Sequence, residues 1–393
     1  MFKKTCFAII IMLLLPCNSL AMGNNPSVAP QQKIIRIAVS KGSSQLKLTL
    51  KGYYEIYALE TNTRILSGND LKNALILPTG SGLNINGEEY KVFGIKILTQ
   101  KDAAIYLNNR RFRGTMDIIR DSNVKLLAVN HIDIEDYLFG VLQYEVSFWW
   151  PYAALEAQAI AARTYALYEA SKNKNKDYDL TNDTFSQMYG GAGKERYRTK
   201  KAVMNTRSKV LTYKGKIFPA YYHATCGGYT EDAAELWNID LPVLKGVKCD
   251  FCKSSPHYYW ESEMELSDIE KKLKQKGYAV SEITDIAPLD FTNNKKIRNL
   301  RIVCKEGSVE IRANKFRLLA GSRYVRSTNF KVEIKDSKAF FKGYGWGHGV
   351  GLCQWGAYFM AKKHFSAEKI LKHYYSGAEI KDYFSLNNDN ETE

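Results

Sequence analysis

The segment from Trp150 to Ala170 constrains the fold more than any other part of the chain. Seven alanines lie between positions 153 and 166, and alanine has the highest helix propensity of all residues. Pro151 suits the first turn of a helix, because its φ is already helical and its missing N–H needs no partner there. The sequence therefore predicts a closely packed helix from about Tyr152 to Ala170.

The region before this helix has a different pattern. Apolar and polar residues alternate over Ile35–Val39 and again over Leu46–Leu50, which is typical of half-buried strands. Glycine-rich turns such as Thr79–Gly82 separate the runs. We therefore expect a β-rich region over residues 34–130.

The rest of the chain mixes both periodicities, so the fold class predicted is α+β. Further helices are expected at about Thr199–Ser208, Ser267–Gly277 and Gln354–His364, with strands at Val210–Tyr213 and through Ile297–Ile334, and a glycine-dense loop at Gly343–Gly351. The predicted organisation is a signal peptide (1–21), a linker (22–33), the β-rich region (34–130), a mixed α+β catalytic region (131–380) and a polar tail (381–393).

The first residues have the pattern of a secretory signal. Lys3 and Lys4 precede the apolar run Phe7–Leu15, and Ser19-Leu20-Ala21 supplies small residues for cleavage. The run is too short for a membrane span. A lipoprotein anchored at Cys17 is the second interpretation, although the preceding proline argues against it. We expect export to the periplasm, the cell wall or the medium, without a transmembrane span in the mature protein.

The formal net charge is +15, and loss of the two leader lysines leaves +13. Such a balance favours polyanionic partners. Anionic cell-wall polymers fit an exported protein better than nucleic acid does, so we expect no nucleic acid partner. A merely solvated basic surface is the alternative.

Three segments carry motifs in an order that is found in a known family. They are Gly140–Glu145 with the helix after Trp150, the run Tyr222–Glu231 (YHATCGGYTE) with Trp237 after it, and Gly345–Ala357 (GWGHGVGLCQWGA). Through them the region 131–378 resembles the SpoIID/LytB family. The resemblance implies a lytic transglycosylase that cuts peptidoglycan glycan strands, or a non-catalytic enhancer of an N-acetylmuramoyl-L-alanine amidase.

The resemblance also implies that Glu145 is the catalytic acid/base. Two positions depart from the family pattern, since Val146-Ser147 replaces the usual Met-Pro and Cys353 replaces the usual serine. Independently, a carboxyl among apolar neighbours such as Val146 and Trp149 loses hydration, which raises its pKa and suits a general acid. The alternative is a capping or salt-bridged carboxylate before the Pro151 helix.

One glutamate without an obvious partner is informative, because glycoside hydrolases generally use two carboxylates. A lytic transglycosylase needs one, since the C6 hydroxyl of muramic acid attacks C1 and closes a 1,6-anhydro ring. Glu145 would protonate the leaving oxygen and then accept the C6 proton. The expected substrate is a glycan strand that lacks stem peptides.

Further positions in and near these motifs are predicted to bind substrate. Arg163 could hold a substrate carboxylate with its planar fork, or form a structural ion pair. His348 could orient the substrate or Glu145, or stabilise its loop. Trp346 and Trp355 could stack on sugars or belong to the core. The predicted substrate-binding set is Arg163, Gln187, Tyr189, Thr225, Thr230, His348 and Gln354.

Five cysteines remain after signal cleavage. Cys249 and Cys252 form a CxxC motif, and with His223 and Cys226 they are predicted to form a structural zinc site. Disulfide bonding is the alternative that export permits, and Cys353 could replace the histidine or pair with Cys226. Cys304 is expected as a lone buried strand residue, and no cofactor other than zinc is expected.

The cysteines and histidines are also compatible with two other enzyme classes. A zinc hydrolase would need an open metal position, which four protein ligands would close. A cysteine protease would use Cys226 with His223. The leading interpretation is the transglycosylase, with the amidase enhancer as the alternative.

Overall fold

The computed structural model describes residues 31–100, 103–183, 186–193 and 195–388. The predicted signal peptide lies outside the described residues, as does most of the predicted linker. Within the described ranges, no helix combines the length and the apolar character that crossing a membrane requires.

Strands dominate the first hundred described residues, as predicted. Alternate residues of the first two strands, such as Ile35, Ile37, Leu46 and Leu48, are completely buried, which explains the period-two pattern. The strands are β1 (Ile34–Ser43), β2 (Leu46–Ala58), β3 (Arg64–Pro78), β4 (Leu83–Ile85), β5 (Glu88–Tyr90), β6 (Gly94–Thr99), β7 (Ala104–Leu107), β8 (Arg110–Phe112), β9 (Thr115–Arg120) and β10 (Leu126–Asp133).

These strands belong to one sheet, and the short strand β11 (Leu180–Thr181) joins its edge by pairing parallel to β1. The other pairings in this sheet are antiparallel, with β7 and β8 forming a hairpin that pairs with β2. The hairpin turn contains Asn108 and Asn109, both at positive φ, a conformation that asparagine tolerates better than most residues.

The helices follow the sheet. They are α1 (Ile134–Glu145), α2 (Tyr152–Lys172), α3 (Tyr197–Asn205), α4 (Ala233–Trp237), α5 (Leu266–Lys274), α6 (Ala313–Ala320), α7 (Gln354–Lys362), α8 (Ala367–Tyr374) and α9 (Ser385–Asn388).

Helix α1 leads directly from strand β10. The side chain of Asp133 caps it by accepting a hydrogen bond from the backbone N–H of Glu135, which satisfies one of the free donors of the first turn. The helix ends at Glu145 because Val146 is extended, with φ −139° and ψ 154°. The predicted alanine-rich helix is confirmed as α2, and all of its alanines except Ala153 are buried.

The later strands form small sheets. They are β12 (Lys209–Tyr213), β13 (Lys216–Ile217), β14 (Tyr222–His223), β15 (Tyr259–Glu265), β16 (Ile283–Phe291), β17 (Ile297–Cys304), β18 (Ser308–Arg312), β19 (Phe330–Lys335), β20 (Lys338–Tyr344), β21 (Leu352–Cys353) and β22 (Glu379–Asp382). Strand β14 pairs parallel to β21, so Tyr222 lies opposite Leu352 and His223 opposite Cys353.

Two sequence expectations differ from the structure here. The strand prediction over Ile297–Ile334 is wrong at helix α6, where Ala313, Phe316 and Ala320 recur at helical spacing and are buried. Residues 381–388, expected in a polar tail, contribute to β22 and α9. Residues 389–393 lie outside the described residues.

The apolar residues form three clusters. The first contains both N-terminal strand residues such as Leu48 and residues of α1 such as Tyr137 and Leu138. The second surrounds α2, α7 and α8, and the third fills the space between β15–β20 and α5–α6. Helix α1 is thus packed on the N-terminal sheet, which fixes Glu145 at the end of a rigid element. The α+β class is confirmed, and the domain boundaries stay a prediction.

Candidate functional site: a carboxyl-centred cleft and a thiol cluster

Glu145 is the last residue of α1, and its partly buried carboxyl receives hydrogen bonds from three separate segments. The backbone N–H of Met188 donates to Glu145 Oε1 at 3.0 Å, and the side chains of Gln354 and Tyr222 hydrogen-bond the same carboxyl. Burial raises the pKa of Glu145, and the three hydrogen bonds oppose this because they favour the charged form. Glu145 therefore keeps its proton to higher pH than an ordinary glutamate.

A cleft of about 540 Å³ opens over this carboxyl. It brings together Glu145, Gln354 of the predicted binding set, and the two tryptophans considered for sugar stacking, Trp346 and Trp355. Its lining also includes Gln143, Tyr144, Val146, Ser147, Trp150, Ala224 and His257. Of the described residues that line the cleft, Glu145 is the only one with a carboxyl group. The aromatic walls suit the apolar faces of sugar rings.

Gln187 lies beneath the cleft and does not face it. Its side chain is 1% exposed and donates from Nε2 to the hydroxyl of Tyr222 at 3.0 Å and to the carbonyl of Ala162 at 3.2 Å. Its Oε1 accepts from the hydroxyl of Tyr137 at 3.1 Å. The structure therefore does not support the assignment of Gln187 to substrate contact, because its amide is used by Ala162, Tyr137 and Tyr222.

Tyr189 is likewise a packing residue. Its ring is 3% exposed and lies 4.9 Å from that of Tyr137. Its hydroxyl donates to Asn130 Oδ1 at 3.0 Å. This hydroxyl is therefore already paired within the protein, while the residue lines a neighbouring cavity of about 880 Å³, so its assignment to substrate binding stays a prediction.

Arg163 forms a structural ion pair, which was the alternative to substrate binding in the sequence analysis. The side chain is 0% exposed and forms a bidentate ion pair with Glu135, with Nη2 to Oε2 at 2.6 Å and Nε to Oε1 at 2.9 Å. Its other donors reach the carbonyls of Lys209 and Val203. No surface of Arg163 is left for a substrate, so this part of the predicted binding set is corrected.

Thr225 and Thr230 are also buried, at 1% and 0% exposure. The hydroxyl of Thr225 lies 3.0 Å from that of Ser255. The hydroxyl of Thr230 accepts from the N–H of Val247 at 2.8 Å. Both threonines therefore stabilise loops, and their prediction as sugar ligands is wrong.

His348 stabilises the strand that carries Tyr222. Its Nε2–H donates to the carbonyl of Tyr222 at 2.9 Å, and its Nδ1 accepts from the N–H of Val350 at 3.1 Å. Burial lowers the pKa of His348 well below its usual value, so the ring is neutral. With both nitrogens occupied, His348 acts on Tyr222 rather than on a substrate, which corrects its assignment to substrate binding.

Four buried cysteines form the second constellation. The Sγ atoms of Cys226, Cys249, Cys252 and Cys353 all lie within 4.8 Å of one another, and all four are free thiols. This group could hold a metal ion. Cys304 is buried at the end of β17, apart from the group.

His223 does not belong to the cluster, so the predicted ligand set is corrected. Its Nδ1–H donates to the carbonyl of Val350 at 3.0 Å, and burial lowers its pKa to about 3. Cys353, which the sequence offered as a replacement for the histidine, takes its place. It does so because β14 and β21 pair in parallel and set Cys353 beside the Cys226 turn.

Sequence reasoning missed several groups around Glu145. Tyr222 is the first residue of the second motif, Tyr222–Glu231, and its place in that motif is the one signal that could have identified it. Met188 acts through its backbone N–H, which no side-chain pattern reveals. His257 lies outside the three motifs, yet it lines the cleft, and its ring packs edge-on against that of Trp346 with 4.8 Å between the ring centroids.

These features define a class of protein: an α+β fold with an aromatic cleft around a glutamic acid. Among the described residues of the cleft lining, this glutamic acid carries the only carboxyl group. The SpoIID family model, described as stage II sporulation protein, matches residues 122–213, and a domain of unknown function, DUF8618, matches residues 243–351.

Similar proteins extend this result. The chain is 33% identical over 359 residues to an uncharacterised protein of Brachyspira hyodysenteriae, covering 91% of this chain and 95% of that protein. It is 30% identical over 278 residues to stage II sporulation protein D of Bacillus subtilis, covering 65% and 76%. The chain belongs to the stage II sporulation protein D family, which confirms the resemblance seen in the motifs.

A further relative carries a different name. The chain is 28% identical over 293 residues to the amidase enhancer of Bacillus subtilis, covering 63% of this chain and 40% of that protein.

Proposed function

We propose that this protein is an exported enzyme that cuts peptidoglycan glycan strands lacking stem peptides by lytic transglycosylation. The observation that carries the proposal is Glu145, a carboxyl of raised pKa at the floor of an aromatic cleft. It is the only carboxyl among the described lining residues, and two carboxylates are generally required for glycoside hydrolysis. A single acid/base is sufficient when the substrate supplies its own nucleophile.

The chemistry follows from the protonated state of Glu145. Its proton passes to the glycosidic oxygen as the C1–O bond breaks, and the muramic C6 hydroxyl forms the new bond to C1. The carboxylate of Glu145 then accepts the C6 proton, which restores the enzyme and leaves a 1,6-anhydro ring. The hydrogen bonds from Met188, Gln354 and Tyr222 stabilise that transient carboxylate.

The decisive experiment is the substitution Glu145→Gln, which keeps the shape of the side chain but cannot deliver a proton. Acid/base catalysis is worth about two to four orders of magnitude, so strand cleavage should fall at least that far. Glu156→Gln is the matched control, because Glu156 accepts a hydrogen bond from Asn205 and does not line the cleft. Mass analysis of wild-type products should find 1,6-anhydro-muramic ends.

Reducing-end products would instead indicate a hydrolase and sink the transglycosylase mechanism. A second candidate function, an enhancer of a cell-wall amidase, is favoured by the similarity to the Bacillus subtilis protein of that name. If neither wild type nor Glu145→Gln cleaves strands, yet both stimulate an N-acetylmuramoyl-L-alanine amidase equally, the enhancer function replaces the enzyme.

We also propose that the four-cysteine group holds a structural zinc ion. Tetrahedral Zn–S bonds of about 2.3 Å require sulfurs roughly 3.8 Å apart. Cys226 Sγ and Cys252 Sγ are 3.5 Å apart. The backbone N–H groups of Cys226 and Gly356 each donate to Cys353 Sγ at 3.3 Å, an arrangement that stabilises a thiolate ligand. Four protein ligands leave no open position, so the zinc would supply stability rather than hydrolysis.

Metal analysis tests this proposal. The purified protein should carry about one equivalent of zinc, and Cys249→Ser should lose both the metal and thermal stability. Cys304→Ser is the matched control, since that cysteine is buried outside the cluster, and it should keep the metal. Metal-free wild-type protein whose thiols resist alkylation until they are reduced would establish disulfides instead.

A further inference from the structure

A second cavity of about 880 Å³ adjoins the Glu145 cleft. Tyr144 lines both cavities. Met188, whose N–H donates to Glu145, lines the second one. The two cavities are therefore parts of one groove that passes the catalytic carboxyl.

The far wall of this groove comes from the N-terminal sheet. Strand β8 is held against the segment after Met188, because the N–H of Ala192 donates to the carbonyl of Arg111 at 2.8 Å. A Cβ atom on Gly191 would lie 2.2 Å from that same carbonyl oxygen. A Cβ atom on Gly190 would lie 2.2 Å from the ring of Tyr144. The absence of side chains at these two glycines thus allows the segment after Met188 to pack closely between Tyr144 and the β7–β8 hairpin.

The charge of this wall is positive and uncompensated. Arg110 and Arg111 are exposed and line the groove, and none of the ion pairs found among the described residues includes either of them. Nearby arginines differ, since Arg113 pairs with Glu195 and Arg36 with Asp179. The described lining of this second cavity contains no carboxylate. Tyr106 and Tyr144 add aromatic surface beside the two guanidinium groups.

We propose that Arg110 and Arg111 form a subsite for the lactyl carboxylate of muramic acid in strands that lack stem peptides. This inference rests on the proposed function and names what selects its substrate. A guanidinium fork binds a carboxylate through paired hydrogen bonds. A stem peptide converts that lactyl carboxylate into an amide, so only the peptide-free sugar presents a negative charge at the lactyl position. The tyrosines contact the ring faces.

Binding is measured by calorimetry in the Glu145→Gln background, so that strands stay intact and the result does not depend on catalysis. Arg110→Gln/Arg111→Gln should weaken binding of peptide-free strands about tenfold, because two exposed charge contacts are lost. The same variant should change binding of a neutral chitin oligosaccharide, or of strands with stem peptides, less than about twofold.

Two further variants make the comparison specific. Arg301→Gln/Arg323→Gln removes the same charge from exposed positions outside both cavities and should bind peptide-free strands like the parent. Arg110→Lys/Arg111→Lys restores the charge but not the paired hydrogen bonds, so it should recover only part of the affinity. Equal affinity in the two glutamine variants would overturn the subsite. An equal loss for the chitin oligosaccharide, or a larger loss for strands with stem peptides, would overturn the assignment to the lactyl carboxylate.

Discussion

Replacing Arg163 by methionine tests whether this arginine serves the fold or the substrate. The side chain is 0% exposed, and its hydrogen bonds go to Glu135 and to two backbone carbonyls. Methionine keeps the unbranched apolar part of the side chain but leaves the Glu135 carboxylate buried without its cation. Removing one partner of a buried ion pair typically costs about 3 to 5 kcal/mol.

For a chain of this length, a loss of that size should lower the melting temperature by roughly 4 to 8 °C. The double variant Arg163→Met/Glu135→Met should recover most of this loss, because an apolar pair can replace a buried ion pair at little cost. Arg64→Met is the control, since Arg64 and Glu55 form an exposed pair, and it should leave the melting temperature nearly unchanged. Differential scanning calorimetry measures all three.

The reasoning would be refuted by a variant that melts like the wild type but binds glycan strands more weakly. That outcome would mean that Arg163 reaches the substrate through a rearrangement of its helix. A double variant no more stable than Arg163→Met would also contradict the ion-pair argument.

Two further predictions concern the groove. Tyr222→Phe removes a hydrogen bond that lowers the pKa of Glu145, so Glu145 should stay protonated to higher pH. The alkaline limb of the pH profile of kcat/KM should therefore shift to higher pH. Tyr137→Phe removes only a bond to Gln187, and an equal shift in that variant would contradict the assignment. Gly190→Ala should weaken strand binding by displacing the exposed ring of Tyr144, with little change in melting temperature. Gly191→Ala should instead destabilise the fold, because its φ is 74° and its Cβ would meet the Arg111 carbonyl; the opposite pattern in thermal melts would refute this.

The sequence predicted those parts of the site that depend on local pattern. Helix α2 follows from its alanines, and Glu145 and Gln354 follow from motifs that are continuous in the chain. The motifs could not separate residues that touch a ligand from residues that support them. Thr225, Thr230 and Gln187 lie in the same motifs as the cleft residues, but the folded chain turns them inward.

The remaining features depend on pairings between distant segments. Cys353 joins the thiol cluster only because β21 pairs with β14 across more than a hundred residues. The arginine-lined wall comes from β8, in a region without a family signature. Helix α6 was missed because its short apolar pattern is interrupted by the buried Arg317.

The groups that surround Glu145 come from positions 188, 222 and 354, and the thiols from 226 to 353. A chain still emerging from the ribosome or a translocation channel holds helix α1 but neither β21 nor Gln354. Contacts this far apart in sequence form late, since the intervening chain must first be ordered. A truncated or unfinished copy therefore carries the acid without its full set of hydrogen-bond partners. The cleft stays incomplete until the segment that contains Gln354 has packed beside helix α1.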